Sequence, residues 1–149
     1  NASVYTDFGI KVSPEAVEGL EVGYAWGTTE ATAATEIDDS TVYIKYAYGP
    51  VTVGYQESES DAPTATDTDE SEFFGITYAV TDSFSIGYSQ SEFNLGSSTT
   101  DQESDGISAS YTMGGITVAG AMNSTDNIAG STDTTADKDA YEMSISFAF

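Results

Sequence analysis

The ionisable side chains of this sequence are almost all carboxylates. Asp and Glu number 25 against three Lys and Arg, and neither His nor Cys occurs, so the formal net charge over 149 residues is −22. Imidazole bases, thiol nucleophiles and thiolate metal sites are therefore excluded, and we expect no enzymatic activity. Three basic residues cannot neutralise a nucleic-acid backbone, so we expect no nucleic-acid partner either. The chemistry that remains is the attraction of cations.

Two short segments concentrate the carboxylates, Asp38–Asp39 and Asp67–Glu70. Hard oxygen ligands suit Ca²⁺, which makes both segments candidate calcium sites. Neither has the spacing of an EF-hand loop, and solvated acidic loops are the more common arrangement. We therefore expect no cofactor, with calcium in the acidic loops as the alternative.

Apolar residues recur at every second position through nine segments, which predicts nine β-strands and an all-β protein. The segments are Val4–Val12, Leu20–Trp26, Val42–Tyr48, Val51–Tyr55, Phe74–Val80, Phe84–Tyr88, Ile107–Met113, Ile116–Met122 and Tyr141–Phe149. Their apolar positions carry no formal charge. The strands must therefore bury or cover one continuous apolar face.

The alternate positions of the same segments carry mostly Gly, Ala, Ser and Thr. Small, mildly polar residues suit a water-filled lumen better than the outside of a soluble sandwich, which favours long polar side chains. The larger polar members are candidate pore-lining residues: Tyr5, Asp7, Lys11, Glu21, Tyr43, Lys45, Gln56 and Glu142. Either the charges of Asp7, Lys11, Glu21 and Lys45 shape the field inside a channel, or they are paired or solvated charges with little influence on selectivity.

The links between strands alternate between short and long. Short turns are predicted at residues 13–19, 49–50, 81–82 and 114–115, and long loops at residues 27–40, 57–72, 89–105 and 123–139. The long links hold 19 of the 25 acidic residues, so the negative charge collects at one end of the sheet. Short turns at one end and long loops at the other are typical of an antiparallel transmembrane β-barrel wall.

The aromatic residues of the apolar face fall into two groups. Near the long loops lie Tyr24, Trp26, Tyr55, Phe74, Tyr88 and Tyr141, and near the short turns lie Tyr46, Tyr48, Tyr78, Phe84, Tyr111, Phe147 and Phe149. Aliphatic residues occupy the positions between them. Tyr and Trp prefer the two interfaces of a bilayer, so this arrangement predicts two aromatic belts around an apolar band.

The C-terminal segment Tyr141–Phe149 resembles the closing strand of Gram-negative outer-membrane proteins. In that family a terminal Phe with apolar residues at alternate positions is the signal read by the barrel-assembly machinery. The matching positions here are Tyr141, Met143, Ile145, Phe147 and Phe149. The chain as a whole, rich in Gly, Ser, Thr and acidic residues, resembles the C-terminal half of a general diffusion porin of the alphaproteobacterial type.

The resemblance implies that residues 1–149 form one segment without a separate domain, namely the last nine strands of a 16-stranded barrel. It also implies a homotrimer in the bacterial outer membrane, in contact with the lipid bilayer and lipopolysaccharide and assembled by the barrel-assembly machinery.

Three functions are compatible with these features. The first is a passive channel through which small hydrophilic solutes and ions diffuse. The second is a soluble secreted β-domain that uses its acidity for hydration, which would bury the aromatic belts between two sheets. The third is a small barrel that anchors acidic, surface-binding loops, which would need a tenth strand or an oligomer to cover its edges. The alternation of loop lengths favours the channel.

Overall fold

The computed structural model describes residues 4–32, 35–62 and 68–148. These residues form nine strands: β1 (Val4–Val12), β2 (Leu20–Thr32), β3 (Thr35–Tyr48), β4 (Val51–Asp61), β5 (Asp69–Thr81), β6 (Phe84–Asn94), β7 (Gln102–Met113), β8 (Ile116–Asp126) and β9 (Lys138–Phe147). Within these residues the one helical element is a single 3-10 turn at Ile128–Gly130.

Each strand pairs antiparallel with the next along the chain, so the sheet is a meander in the order β1 to β9. Among the described residues, β1 pairs only with β2 and β9 only with β8, which leaves one long edge at each side of the sheet. The prediction of an all-β protein with nine antiparallel meander strands is confirmed.

The short connections lie where the sequence predicts them. Gly49 and Gly114 have φ of +56° and +61°, in the left-handed region that glycine adopts without strain. The turn between β5 and β6 is closed by a side chain instead, since Thr81 Oγ1 accepts hydrogen bonds from the backbone N–H groups of Ser83 and Phe84. These turns set the register of the hairpins they connect.

The predicted long loops are wrong in extent, because strand pairing continues well into them. β2 runs to Thr32 and β3 begins at Thr35, while β4 continues to Asp61. These extensions consist mainly of Ser, Thr and acidic residues and show no hydrophobic period on either face. Their backbone hydrogen bonds to the neighbouring strand, rather than any apolar face, keep them extended. Most of the carboxylates assigned to loops therefore lie on strands.

One face of the sheet carries the apolar side chains of all nine strands, and we call it the apolar face. Among the described residues no hydrophobic side chain is buried, and on β9 Tyr141 and Met143 are 73% and 76% exposed. Ordinary soluble proteins do not expose a continuous apolar surface of this extent. A face of this kind requires an apolar medium or a partner to cover it.

The register shows that the two aromatic belts run obliquely across the strands. In the belt near the loops, the aromatic residues lie progressively closer to the turn end from one strand to the next. Tyr24 on β2 is the furthest from the turns of the four, followed by the directly paired Tyr55 and Phe74 and then by Tyr88 on β6. Toward the turns, the belt steps down in the same sense from Tyr46 to Phe147. In a barrel the strands are tilted relative to the barrel axis. A belt of residues at one height along that axis therefore crosses neighbouring strands at shifted positions, as these aromatic residues do.

Candidate functional site

The opposite face of the sheet, which we call the polar face, carries all eight candidate pore-lining residues. Tyr5, Asp7 and Lys11 alternate along β1 with the apolar residues, and the pairing of β1 through β9 keeps the others on the same side. On β4, Gln56 donates a hydrogen bond to Ser58 Oγ at 3.2 Å. Glu142 on β9 stands opposite the small residue Ala121. That these side chains line a pore remains a prediction.

Near the turn end of the polar face, three charged residues form one ionic group. Glu21 lies 3.3 Å from Lys11 Nζ through one carboxylate oxygen and 3.3 Å from Lys45 Nζ through the other. Tyr43 donates its hydroxyl hydrogen to Glu21 Oε1 at 3.1 Å. The side chains of Lys11 and Lys45 are 62% and 50% exposed, whereas that of Glu21 is 21% exposed. This Lys–Glu–Lys group carries a net charge of +1, and its side chains are ion-paired. The effect of these charges on selectivity remains a prediction.

The position of the Tyr43 ring depends on a glycine of the neighbouring strand. This dependence was not predicted from the sequence. Gly23 stands opposite Tyr43 in the strand pair β2–β3, and it is buried. A β-carbon at Gly23 would overlap the tyrosine ring, since it would lie 2.6 Å from Cζ and 2.9 Å from Cδ1. The ring therefore lies against the backbone of β2, where its hydroxyl reaches Glu21. A glycine inside a strand is the sequence signal for such a close approach.

Hydroxyl groups pair across the strands over much of the polar face. The pairs are Thr41 with Ser58 (2.7 Å), Ser85 with Ser110 (3.0 Å), Ser104 with Thr125 (3.0 Å) and Thr112 with Thr117 (2.9 Å). The pairing leaves a wall of short side chains that offer hydrogen bonds without a strong charge. Such a surface wets readily and projects little into the space in front of it.

Toward the loop end, the polar face forms an open depression of about 630 Å³. Four acidic residues line it, Asp7 on β1, Asp39 on β3, Glu59 on β4 and Asp69 on β5, together with Tyr5. Asp7, Asp39 and Asp69 share the polar face, whereas Glu59 alternates to the other face of its strand. Of the acidic residues here, only Asp7 is among the pore-lining residues predicted from the sequence, because Asp39, Glu59 and Asp69 fall in predicted long loops. The neighbouring Asp38 points to the other face, since successive residues of a strand alternate, and its carboxylate accepts a hydrogen bond from Thr28 at 2.7 Å.

On the side of the apolar face, five carboxylates stand directly opposite one another across five strands. These are Glu57, Glu72, Glu92, Glu103 and Asp126, which we call the carboxylate ladder. Along β4, β5 and β6 the ladder lies on the loop side of the aromatic belt; Glu92, for example, is four residues past Tyr88 on β6. Burial, together with the charges of Asp101, Glu72 and Glu103, raises the pKa of Glu92 above its ordinary value.

Hydrogen bonds join the connections between strands at the loop end of the sheet. Asp69 accepts a hydrogen bond from the backbone N–H of Gly96 at 2.9 Å, which ties the start of β5 to the β6–β7 connection. Asn127 donates through Nδ2 to the carbonyl of Asp101 at 3.2 Å, which ties that connection to the one between β8 and β9. These contacts hold the loops of β5 to β9 together as one layer.

Within the β8–β9 connection, Asp133 closes a local turn. Its carboxylate accepts a hydrogen bond from the backbone N–H of Thr135 at 2.9 Å. This bond holds the pKa of Asp133 below its ordinary value, because it favours the ionised form.

The C-terminal strand presents four of the five residues of the proposed assembly signal. Tyr141, Met143, Ile145 and Phe147 share the apolar face and pair through β9 with Met122, Gly120, Val118 and Ile116. Phe149 lies outside the described residues. Recognition of this strand by an assembly machinery remains a prediction.

The acidic segments Asp38–Asp39 and Asp67–Glu70 are the candidate calcium sites. Within residues 4–32, 35–62 and 68–148, no three acidic side chains come together in an arrangement that could hold a metal ion. Asp67, from the second candidate calcium segment, lies outside the described residues. Calcium in the acidic loops remains a prediction. No helix among the described residues has the length and apolarity needed to cross a membrane.

Comparison with known proteins gives a family match over most of the chain. The family model described as Gram-negative porin matches residues 1–117. No curated protein matches the sequence.

Among solved structures, OmpT of Vibrio cholerae expressed in the outer membrane aligns with a TM-score of 0.61 and 13% identity over 83% of this chain and 46% of that chain. The in-vitro folded form of OmpT, an outer-membrane protein of Vibrio cholerae, aligns with a TM-score of 0.56 and 14% identity over 96% of this chain and 53% of that chain. A mutant porin of Rh. blastica aligns over 99% of this chain and 81% of that chain at 12% identity, with a TM-score of 0.38 that is too low to compare folds. The chain thus spans about half the length of the Vibrio structures, with which it shares a fold.

Proposed function

This chain belongs to the Gram-negative porin family and lies in the bacterial outer membrane, and from this premise we propose that it forms part of the wall of a passive channel for small hydrophilic solutes and ions. The apolar face contacts lipid, and the polar face lines the aqueous lumen. The single observation that carries the proposal is the division of one continuous sheet into these two faces across all nine strands. No chemical step is involved, and the protein has no enzymatic activity.

The wall meets the physical demands of a bilayer. Interstrand pairing satisfies the backbone N–H and C=O groups within the sheet, which a hydrocarbon environment requires. The long edges of β1 and β9 need partner strands for the same reason. We propose that further strands complete a 16-stranded barrel, three copies of which form a homotrimer surrounded by lipid and lipopolysaccharide. The apolar positions of β9 act as the signal for the barrel-assembly machinery.

The charges of the polar face favour cations at the loop end. Asp7, Asp39 and Asp69 face the lumen there, whereas Lys11 and Lys45 lie toward the turns and share the carboxylate of Glu21. A cation that enters from the loop end therefore meets negative charge first. The soluble alternative lacks support, since no described apolar residue is buried against a second layer.

The channel is tested by conductance of the native protein, purified in detergent from outer membranes and inserted into planar bilayers. We expect stepwise, ohmic openings, and liposomes containing the protein should swell in small neutral sugars but not in large oligosaccharides. Protein that inserts and gives neither response would contradict the proposal.

The variant Glu21→Gln tests whether the polar face lines the conducting path. Loss of this carboxylate leaves Lys11 and Lys45 without their shared counter-ion, so the ratio of cation to anion permeability should fall. Glu57→Gln is the matched control, because Glu57 lies on the side of the apolar face. Equal shifts of the permeability ratio for both variants would contradict the assignment of the polar face to the lumen.

A further inference from the structure

A phenylalanine is exposed on the polar face of the sheet. Phe73 alternates along β5 with the apolar positions Phe74 and Ile76, so it lies on the polar face, where it is 47% exposed. An aromatic side chain ordinarily buries much of its surface against other apolar groups. Its exposure here leaves an apolar surface that a dissolved molecule can contact.

Two glycines lie beside this ring and leave a notch in the wall. The ring covers Gly75, since a β-carbon there would lie 3.2 Å from Cε1 and 3.5 Å from Cζ of Phe73. Gly54 stands opposite Gly75 on β4. Apart from its chain neighbours, the nearest described atom to a β-carbon at Gly54 is the carbonyl oxygen of Ile44, at 3.9 Å. The space above Gly54, which we call the glycine notch, is therefore open.

The two sides of the glycine notch differ in chemistry. Lys45 stands opposite Gly54 on β3, and the Phe73 ring borders the notch on β5. Neighbouring strands lie about 4.8 Å apart, so these two strands are about 10 Å from each other. A small flat ring can lie on the floor between them without displacing a side chain.

The side on β3 is positively charged. Lys45 belongs to the Lys–Glu–Lys group, whose net charge is +1, and its side chain is 50% exposed. The two lysines already engage both carboxylate oxygens of Glu21. This side therefore attracts a negative group, whereas the exposed ring on β5 attracts an aromatic one.

We propose that the glycine notch binds a small aromatic carboxylate, whose ring lies over Gly54 against Phe73 and whose carboxylate faces Lys45. The inference rests on the proposed function, since it places the notch on the lumen side of the wall. Binding there favours the passage of aromatic acids over that of other anions of the same charge.

Charge and shape together select the ligand. Acetate lacks the ring that contacts Phe73, and benzyl alcohol lacks the charge that Lys45 attracts. Benzylammonium has the ring with the opposite charge, which the net positive group repels. Among these molecules and benzoate, benzoate alone suits both sides of the notch.

The test is titration of the native, detergent-solubilised protein with each of these four molecules, followed by NMR saturation transfer from the protein, with empty micelles as the background. Benzoate should bind about threefold more tightly than benzyl alcohol, the effect of one exposed ion pair. Acetate and benzylammonium should bind more weakly than both.

Three substitutions test the parts of the notch. Gly54→Ala adds a methyl group where the sheet has room for it, so the variant should fold and bind benzoate about fivefold more weakly. Phe73→Leu should weaken binding about threefold and Phe73→Tyr should not, because the ring supplies the contact. Lys45→Gln should abolish the preference for benzoate over benzyl alcohol, because it removes the net charge of the ionic group.

The polar face offers matched controls. Gly9→Ala also adds a methyl group to a glycine with room, since its nearest contact outside its chain neighbours would be Ala25 Cβ at 3.7 Å. Phe93→Leu removes the ring of another exposed phenylalanine of the polar face. Both variants should bind benzoate like the wild type, and the fluorescence of Trp26 during urea unfolding verifies that each variant is folded.

The outcomes separate this inference from the channel. No binding of benzoate, equal binding of benzoate and benzyl alcohol, or equal affinity losses in Gly54→Ala and Gly9→Ala would overturn the inference. Conductance without benzoate binding contradicts this inference alone, whereas benzoate binding without conductance contradicts the channel and leaves the site standing.

Discussion

The carboxylate ladder should store electrostatic repulsion that one substitution releases. Glu92 is its central member, and Glu72 and Glu103 stand directly opposite it on the two neighbouring strands. Like charges placed opposite each other across a strand pair are destabilising. Glu92→Gln keeps the size and shape of the side chain and removes its charge, so the variant should be more stable than the wild type.

The magnitude follows from the spacing of the strands. Carboxylates about 6 Å apart in water repel by about 0.7 kcal/mol. Screening over a Debye length of about 8 Å at 0.15 M salt lowers this to about 0.3 kcal/mol, whereas at 0.01 M salt about 0.6 kcal/mol remains. For two neighbours, Glu92→Gln should thus raise the free energy of unfolding by about 0.7 kcal/mol at 0.15 M salt and about 1.1 kcal/mol at 0.01 M salt.

The assay is urea unfolding of the native protein in lipid vesicles at these two salt concentrations. Trp26, the single tryptophan of this sequence, lies on the apolar face and reports the loss of lipid contact. Glu142→Gln is the control, because the residue opposite Glu142 is Ala121 rather than an acid. A destabilised Glu92→Gln variant, or a gain that is the same at both salt concentrations, would refute this reasoning.

The same repulsion predicts the direction of the pH dependence. Burial and its acidic neighbours raise the pKa of Glu92 above the ordinary value of 4.5. The folded state therefore binds the proton more tightly than the unfolded state, and this contribution to stability is fully present below about pH 4.5 and is lost as pH rises through the folded pKa. The difference between Glu92→Gln and the wild type should accordingly appear at neutral pH and vanish in acid.

Two further predictions concern the polar face and the loops. Gly23→Ala should destabilise the sheet by about 1–3 kcal/mol and lower the single-channel conductance. The reason is that the new methyl group displaces the Tyr43 ring into the lumen and breaks its hydrogen bond to Glu21. Urea unfolding and bilayer recordings that match the wild type would contradict this prediction. Asp133→Asn should speed amide exchange at Thr135 near neutral pH. Because the folded pKa of Asp133 is lowered, its stabilising effect is present above about pH 3.8 and is lost as pH falls through the folded pKa. The variant and wild type should then exchange alike in strong acid, and a difference that persists there would contradict the role of the carboxylate.

Residues with a clear alternation of apolar and polar side chains were placed correctly from sequence. The apolar faces of strands such as β3 and β5, the turns at Gly49 and Gly114, and the two aromatic belts all follow from a period of two or from local turn chemistry. Each of these features depends on neighbours within a few residues of the chain. Local signals of this kind can be read without knowledge of the fold.

The polar ends of the strands were misassigned because their pattern has no apolar face. Segments such as Glu57–Asp61 alternate Ser with acidic residues, a composition that is also typical of loops. Their extended conformation depends on hydrogen bonds to a neighbouring strand that lies elsewhere in the chain. For that reason, the positions of Asp39 and Asp69 beside Asp7 could not be predicted.

The sequence by itself determined that this protein is a nine-stranded antiparallel sheet with one apolar and one polar face, because a strand's two faces follow directly from the alternation of its side chains. Only the tertiary structure decided which charges meet. Register brings Glu21 between Lys11 and Lys45, and Glu92 between Glu72 and Glu103. Register is a relation between distant segments, so a shift of two residues would keep every face unchanged while giving each of these carboxylates a different neighbour.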